Sequence, residues 1–600
     1  MNSGSRPVKV ASAAAVLVWL TACGWVVRGY VWPTLSNVEV ATLEAMLDPS
    51  LFRHDFAVQA SLGFSPRFYW NELILAVARL GVPLWASFVL WHLVALSALL
   101  GAWVAISREL KLDSVAAAVF GAWVFCSNIG AIAGVYFYTH APVPAVWAGA
   151  AVAWGAIFAL RQNAIAAYAA FGIAALLQFL VGFYAGLLAL PLLIGLPRRS
   201  CFIAVAIWIL ALAAVYLPMR VSGGTGSIAL AGPQFVEIYA RLRLPHHLVP
   251  STWGWPAWIQ FGLFYVGACV YVVRTSAIAS AAERRVLWTA LALVVVLLTL
   301  NYFFVEVFPV AFVAKLQPAR ITPLAALIMF GFLAQRLQSA LVARRWIEVI
   351  ALSSFPLSVI PGALLLVAAI LLHDRRRPSE RVPRWALAIV ALTIVFGLRP
   401  LDGTLGARLY HDLPWFGVAV ALALPYLLRK SVTALVAAAV FATAGAVAAA
   451  YLSTRSELPS PLAPRFAVDA RPQPEDAPGA LGLRFKRRSA PDDVVLVPPA
   501  GESWTFKLFS QRADVVDDKN MPFTDAGILE WRRRLDEVLG VTVTPSTDFE
   551  ACWRQRSPET LRQIATKYRA HYILTRDEWH PTMPGIAVDH EQGWTLWELP

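Results

Sequence analysis

The feature that most constrains this chain is its series of apolar runs, each roughly 15–25 residues long, enough to cross a hydrocarbon core of about 30 Å as a helix. Short polar breaks separate them, so the sequence reads as a succession of membrane crossings. Composition enters only to test a soluble alternative. Hydrophobic residues make up 58% and charged residues 14%, against about 25% charged in soluble domains. So few charges cannot cover a water-exposed surface. The richness in Trp suits the membrane interface, although sugar-binding proteins share it.

Apolar runs are expected to span the membrane over 8–27, 83–106, 114–132, 142–160, 164–180, 182–196, 201–217, 255–273, 286–304 and 321–337. Further runs cover 346–372, broken near Pro356 and Pro361, then 385–398, 415–428 and 432–452. Counting the broken run and the short paired ones gives about 13–15 crossings. Leu20-Thr21-Ala22-Cys23 matches a lipoprotein cleavage box, but the apolar run continues through Trp25-Val26-Val27 and reads as a first helix.

The net charge of +13 is distributed in short links, such as Arg198-Arg199 and Arg375-Arg376-Arg377. That is the pattern of cytoplasmic loops, and it argues against a nucleic-acid partner. With the N-terminus placed in the cytoplasm, the basic links from Arg108/Lys111 to Arg429/Lys430 all fall on one side. The opposite face then receives two long loops, 28–81 and 220–254, and the carboxyl-terminal tail. The chain thus divides into a multi-pass membrane domain, 1–452, a Pro- and Arg-rich linker, 453–482, and a soluble extracytoplasmic domain, 483–600. Alternating strand and helix patterns give that last part an α/β character. Cys552 is the single cysteine of 483–600, which excludes a disulfide within the domain.

Chemistry is expected where polar residues gather on the extracytoplasmic face. The first loop carries Glu39, Glu44, Asp48, His54 and Asp55. Its apolar Val38, Leu43, Met46 and Leu47 suit an amphipathic helix on the membrane surface. A carboxylate held against apolar surface can serve as a base, so Glu39, Asp48 and Asp55 are catalytic candidates. In the second loop, Arg243-Leu244-Pro245-His246-His247, followed by Trp253, offers cations for a phosphate and an aromatic face for a sugar. Lys315, Gln317 and Arg320 stand at the mouth of a span, where a cation can meet a diphosphate head group or simply reach the interface. Glu306 is the expected partner of these cations. In the tail, 512–523 couples a strand-like stretch to Asp517-Asp518-Lys519, which reads equally as paired metal-binding carboxylates or as a charged turn. The His spacing is poor for zinc, so a divalent metal has no support from ligand spacing. No Walker or Gly-x-Ser-x-Gly sequence is present.

These features together resemble the GT-C superfamily of multi-pass glycosyltransferases. Four local texts are similar to a bacterial GT-C-like group: Leu47-Asp48-Pro49-Ser50-Leu51-Phe52-Arg53-His54-Asp55, Arg243-Leu244-Pro245-His246-His247, Leu316-Gln317-Pro318-Ala319-Arg320 and Val515 to Phe523 with Glu530-Trp531. One place departs from the superfamily pattern: an Asp-Glu or Asp-x-Asp unit after the first helix is replaced by Asn37-Val38-Glu39. The resemblance implies a bacterial inner-membrane enzyme that takes sugar from a polyprenyl-phosphate donor to an envelope glycan, lipid or protein. Glu39 or Asp55 would then activate the acceptor, and Arg243, His246, His247 and Arg320 would hold the phosphate. A transporter or flippase of a lipid-linked or anionic substrate, and a non-catalytic assembly partner, are the alternative readings. The near absence of charge inside the spans favours interfacial chemistry over translocation.

Overall fold

The computed structural model describes residue 30 and residues 37–127, 129–139, 141–222, 230–274, 281–356, 472–501 and 503–600. The expected spans at 8–27, 385–398, 415–428 and 432–452, with most of 346–372 and of the linker, lie outside the described residues. Within them, five helices are long and apolar enough to cross a membrane: Leu84–Glu109, Arg198–Val221, Trp255–Val273, Ala281–Val307 and Ala311–Val342. The last two contain short local changes of helical pitch. Shorter apolar helices include Pro144–Leu160, Ala164–Leu177 and Phe179–Leu188. The chain is therefore a mostly helical, multi-pass membrane protein with a small α/β domain at its C-terminal end.

Local chemistry explains the helix boundaries. Asp113 accepts hydrogen bonds from the Val115 and Ala116 amides and starts helix Ser114–Cys126. Asn163 does the same for helix Ala164–Leu177 through the Ala166 amide. Pro144 opens its helix at the first turn, where its missing N–H costs nothing. Helix Phe179–Leu188 packs closely because it carries glycines. A Cβ on Gly182 would stand 2.2 Å from the Ala175 nitrogen, and one on Gly186 would meet the Trp208 ring at 2.3 Å. Trp208 Nε1 instead donates to the Gly182 carbonyl at 3.0 Å, and the Tyr168 hydroxyl to that of Gly186 at 3.1 Å.

Two sequence expectations need correction. The run expected to cross at 114–132 ends as a helix at Cys126, and turns follow it. The first loop is largely helical: α1 Asn37–Leu47, α2 Phe56–Ser61 and α3 Phe68–Ala78. Helix α1 does not lie on a membrane surface. Val40 and Leu43 are buried, and so are Glu39 and Thr42 on its other side. The helix is packed between α3 and the C-terminal domain, which is why its residues are apolar on several faces.

The C-terminal domain has a five-stranded sheet in the order β2-β1-β3-β5-β4. Strands β1 Val494–Leu496, β2 Ala513–Asp514 and β3 Tyr572–Arg576 run parallel, whereas β4 Ile586–Glu591 and β5 Trp594–Glu598 are antiparallel additions. Their fully apolar centre, Val494 to Val497 with Ile573 and Leu574, is the pattern of strands covered on both faces. Helix Asp525–Leu539 covers it with Trp531 and Leu535. This core is continuous with apolar residues of the second loop, among them Phe235, Val236, Ile238 and Leu248. Domain and loop share one hydrophobic interior.

Candidate functional site

Two polar clusters lie where the loops meet the C-terminal domain. The first is built on Lys507, whose ammonium is 1% exposed. It contacts Asp55 at 2.6 Å, Asp514 at 3.0 Å and Asp517 at 3.8 Å. Helix Trp504–Ser510 supplies the lysine, the end of β2 supplies Asp514, and the first loop supplies Asp55 from 452 residues away. Asp55 also caps α2 by accepting from the Val58 amide at 2.9 Å, and it accepts from the Asp514 amide at 3.3 Å. Asp517 accepts from the amides of Lys519 and Asn520 at 2.7 and 2.6 Å. Burial pushes the Asp514 carboxyl well up against the pull of Lys507. Every oxygen here faces protein. Of the sequence candidates, Asp55 is thus enclosed in the joint between loop and domain.

The second cluster is cationic. Arg67, at the entry to α3, forms an ion pair with Glu39 in the first turn of α1. Its guanidinium also stands over the Phe523 ring, 5.4 Å from the centroid. Burial, then the charges of Arg320 and Arg243, lower its pKa to about 10. Arg243 sits at the end of a π-helical turn, Val236–Arg243, and donates twice to the Lys519 carbonyl, at 3.2 and 2.7 Å. Burial lowers its pKa too, while Asp518 and Asp517 oppose the shift. Arg320 donates to the Gln317 side chain, and Gln317 in turn donates to the Tyr239 hydroxyl at 2.9 Å. Gln317 reaches both because its backbone is left-handed, with φ +46°. Burial raises the pKa of the Tyr239 phenol, and the charges of Arg320, Arg67 and Arg243 oppose the shift.

His246 and His247 border this cluster, with ring centroids 4.1 Å apart. His247 Nδ1 lies 2.6 Å from the Ala133 carbonyl. Ala133 presents that oxygen from a left-handed backbone, φ +65°, in the turn after Cys126. Burial first, then the nearby cations, depress the His247 pKa to about 4, although the carbonyl contact opposes this. The ring is therefore neutral near pH 7. Its Nδ1–H donates to Ala133, which leaves Nε2 as an acceptor.

Sequence candidates divide accordingly. Glu39, Arg243, His246, His247, Gln317 and Arg320 come together, and Asp48 and Lys315 stand apart. Asp48 is exposed at the loop tip and accepts from the Ser50 amide at 2.9 Å. Lys315 pairs with Asp525 at 3.3 Å and lies over the Phe235 ring at 4.5 Å. Glu306, expected to pair with these cations, accepts instead from the Ser251 amide at 2.8 Å. Sequence reading missed Arg67, Tyr239 and Lys507, none of which stands in a recognisable motif. Among the described residues no three His, Cys, Asp or Glu side chains are grouped as metal ligands. The clustered aspartates enclose an ammonium.

Residues 479–538 match the model of DUF6798, a domain of unknown function. The matched stretch contains Lys507, Asp514 and Phe523, which meet the first loop, and Lys519, whose carbonyl meets the second. No curated protein matches the chain. In solved structures, arabinofuranosyltransferase AftD from Mycobacteria is similar at 17% identity and a TM-score of 0.32, over 64% of this chain and 28% of that one. ArnT from Cupriavidus metallidurans in the apo state is similar at 13% identity and a TM-score of 0.38, over 99% of this chain and 98% of that one. The chain spans less than a third of AftD. At these values the likeness is one of helical arrangement only.

Proposed function

We propose that this chain is a GT-C-type glycosyltransferase that moves a sugar from a polyprenyl-phosphate donor to an envelope glycan, lipid or protein. The reaction takes place at the outer face of a bacterial inner membrane. The reading rests on one observation: the charges of Arg67, Arg243 and Arg320 converge on Tyr239, with Glu39 paired to Arg67. Cations crowded into a partly buried space repel one another, and the arrangement is stabilised when an anion enters. Guanidinium forks suit a phosphate ester, which accepts two parallel hydrogen bonds from each fork. The cluster also adjoins the mouth of helix Ala311–Val342, where a lipid head group would stand with its chain among apolar helices.

In the reaction the sugar leaves a phosphate oxygen, and negative charge grows on that oxygen. Preorganised guanidiniums at that point stabilise the transition state more than the ground state. Glu39 holds Arg67 in place, and neutral His247 offers Nε2 to a sugar hydroxyl. The test is transfer from labelled polyprenyl-phosphate sugars in membranes containing the full chain. Arg320→Ala and Arg243→Ala are expected to abolish most transfer without loss of the folded protein. Undiminished transfer in both variants would overturn the reading.

A further inference from the structure

The cationic cluster contains a relay of side-chain hydrogen bonds whose direction follows from chemistry alone. Arg320 Nε can only donate, so the Gln317 atom that faces it is the amide oxygen. The amide nitrogen of Gln317 then faces Tyr239 Oη at 2.9 Å and donates to it. The phenol oxygen is an acceptor in this contact, and its own proton points elsewhere. Burial raises the phenol's pKa, so that proton is held at neutral pH. Among the described residues nothing accepts it, and nothing accepts from either Nη of Arg320.

Three features hold the relay in place. Tyr184, buried on helix Phe179–Leu188, donates to the Leu316 carbonyl at 2.7 Å and fixes the turn just before Gln317. The Tyr239 ring stacks on the buried Phe235 ring, with centroids 4.9 Å apart and 24° between the planes. Gln317 keeps a left-handed backbone, φ +46°, which glycine or asparagine would adopt with less strain. What glutamine adds over asparagine is one methylene of reach toward two partners. A bridge that served only to tie the second loop to the span would close on its own donors. This one presents the phenol O–H and two guanidinium nitrogens from residues that are only partly buried.

We propose that Tyr239 binds the donor phosphate directly, its hydroxyl donating to a phosphate oxygen beside the Arg320 fork, with Gln317 as the positioning residue that aims it. This deepens the glycosyltransferase reading and rests on it. A phosphodiester at neutral pH has only acceptor oxygens, so it complements donors that lack acceptors of their own. One amide links the two residues, so Arg320 Nε and Tyr239 Oη stand within about 8 Å of each other. A phosphate that accepts one hydrogen bond on each side spans a similar distance. Free phosphate shares this chemistry with a lipid phosphate ester, and the experiment separates the two.

The full chain in lipid nanodiscs is titrated with undecaprenyl phosphate, with undecaprenol, which lacks the phosphate, and with inorganic phosphate. Tyr239→Phe keeps the ring and its stack on Phe235 and removes only the hydroxyl. It should narrow the preference for undecaprenyl phosphate over undecaprenol about 10–100-fold. Gln317→Asn should narrow it less, and should add little in the Tyr239→Phe background, because both changes act through one hydroxyl. Losses that add in the double variant overturn the positioning role of Gln317. An unchanged preference in Tyr239→Phe overturns Tyr239 and leaves the donor reading standing. Should Tyr239→Phe misfold, Gln317→Asn decides, and an unchanged preference there overturns the proposal. Inorganic phosphate that binds as tightly as the lipid overturns the lipid assignment. Failure of the unaltered protein to bind undecaprenyl phosphate overturns the donor reading and Tyr239 with it.

Discussion

The two polar clusters at the joint use opposite arrangements. Around Lys507, three carboxylates close on one ammonium and all four groups are buried, with Asp514 Oδ2 left without a hydrogen-bond partner. Around Tyr239 three guanidiniums gather: Arg67 pairs with Glu39, Arg243 faces Asp518 and Asp517, and the forks of Arg243 and Arg320 are satisfied in part by carbonyl and amide oxygens. A buried charge cluster closed in by protein serves to fix one geometry, because breaking it leaves charge stranded in a low dielectric. One that is short of counter-charge is suited to receive it from outside. The first cluster ties the domain to the first loop through Asp55, and the second is the receptacle proposed for a phosphate.

The comparison can be broken most forcefully at Lys507. Lys507→Met leaves three aspartates buried without their cation, at a cost of about 3–5 kcal/mol. The expected outcome is release or unfolding of the C-terminal domain, seen as protease cleavage within 472–600 under conditions where the unaltered chain is intact. A protease-resistant variant would mean that the acids are neutralised by protons rather than by the lysine. Arg320→Ala comes next. It should reduce transfer about 10²–10³-fold, equivalent to about 2.7–4 kcal/mol, with thermal unfolding unchanged. A large fall in unfolding temperature would place Arg320 in the structural class instead.

A third test uses pH. Glu44 stands on α1 against the domain, where Gln511 Nε2 donates to it at 2.6 Å. Burial raises its carboxyl from 4.5 to about 7, although Gln511 and Lys486 pull the other way. The folded state therefore holds this proton more tightly than the unfolded chain does. Below about pH 4.5 both states are protonated and Glu44 has no effect. Between there and pH 7 the unfolded chain ionises first, so stability falls as pH rises. The loss is complete about a unit above pH 7 and amounts to about 3 kcal/mol. Glu44→Gln should remove that slope, which scanning fluorimetry at pH 5 and pH 8 would reveal as a smaller difference between the two unfolding temperatures. An unaltered difference would show that Asp514 rather than Glu44 sets the response.

The smallest effect is expected at Asp48. It lies outside both clusters, so Asp48→Asn should change stability by less than about 0.5 kcal/mol and leave transfer intact. A tenfold loss of transfer would bring the loop tip into the receptacle.

What was legible in the sequence followed from periodicity and from residue type. Runs of apolar residues gave helices such as Leu84–Glu109 and Trp255–Arg274 within a few residues of their observed ends. Glu39 was nominated as a carboxylate held against apolar surface, and Arg243, His247 and Arg320 as groups suited to a phosphate. Pairing was not legible. Nothing in the text around Lys507 indicates that it meets Asp55, since that contact depends on how a helix of the domain seats against the first loop. Arg67 was passed over for the same reason: it stands in a stretch that reads as loop but folds as the entry to α3. A helix at α1 was legible, but its place was not, because its residues are buried on several faces against α3 and the domain.

The hydrogen bonds from Arg243 to the Lys519 carbonyl join positions 276 residues apart. During synthesis, the loop that carries Arg243 is made long before the turn that receives it. The proposed receptacle is thus framed only once residues 517–523 are made and the domain that carries them has seated, and a chain stopped before them would carry the cations but not their frame.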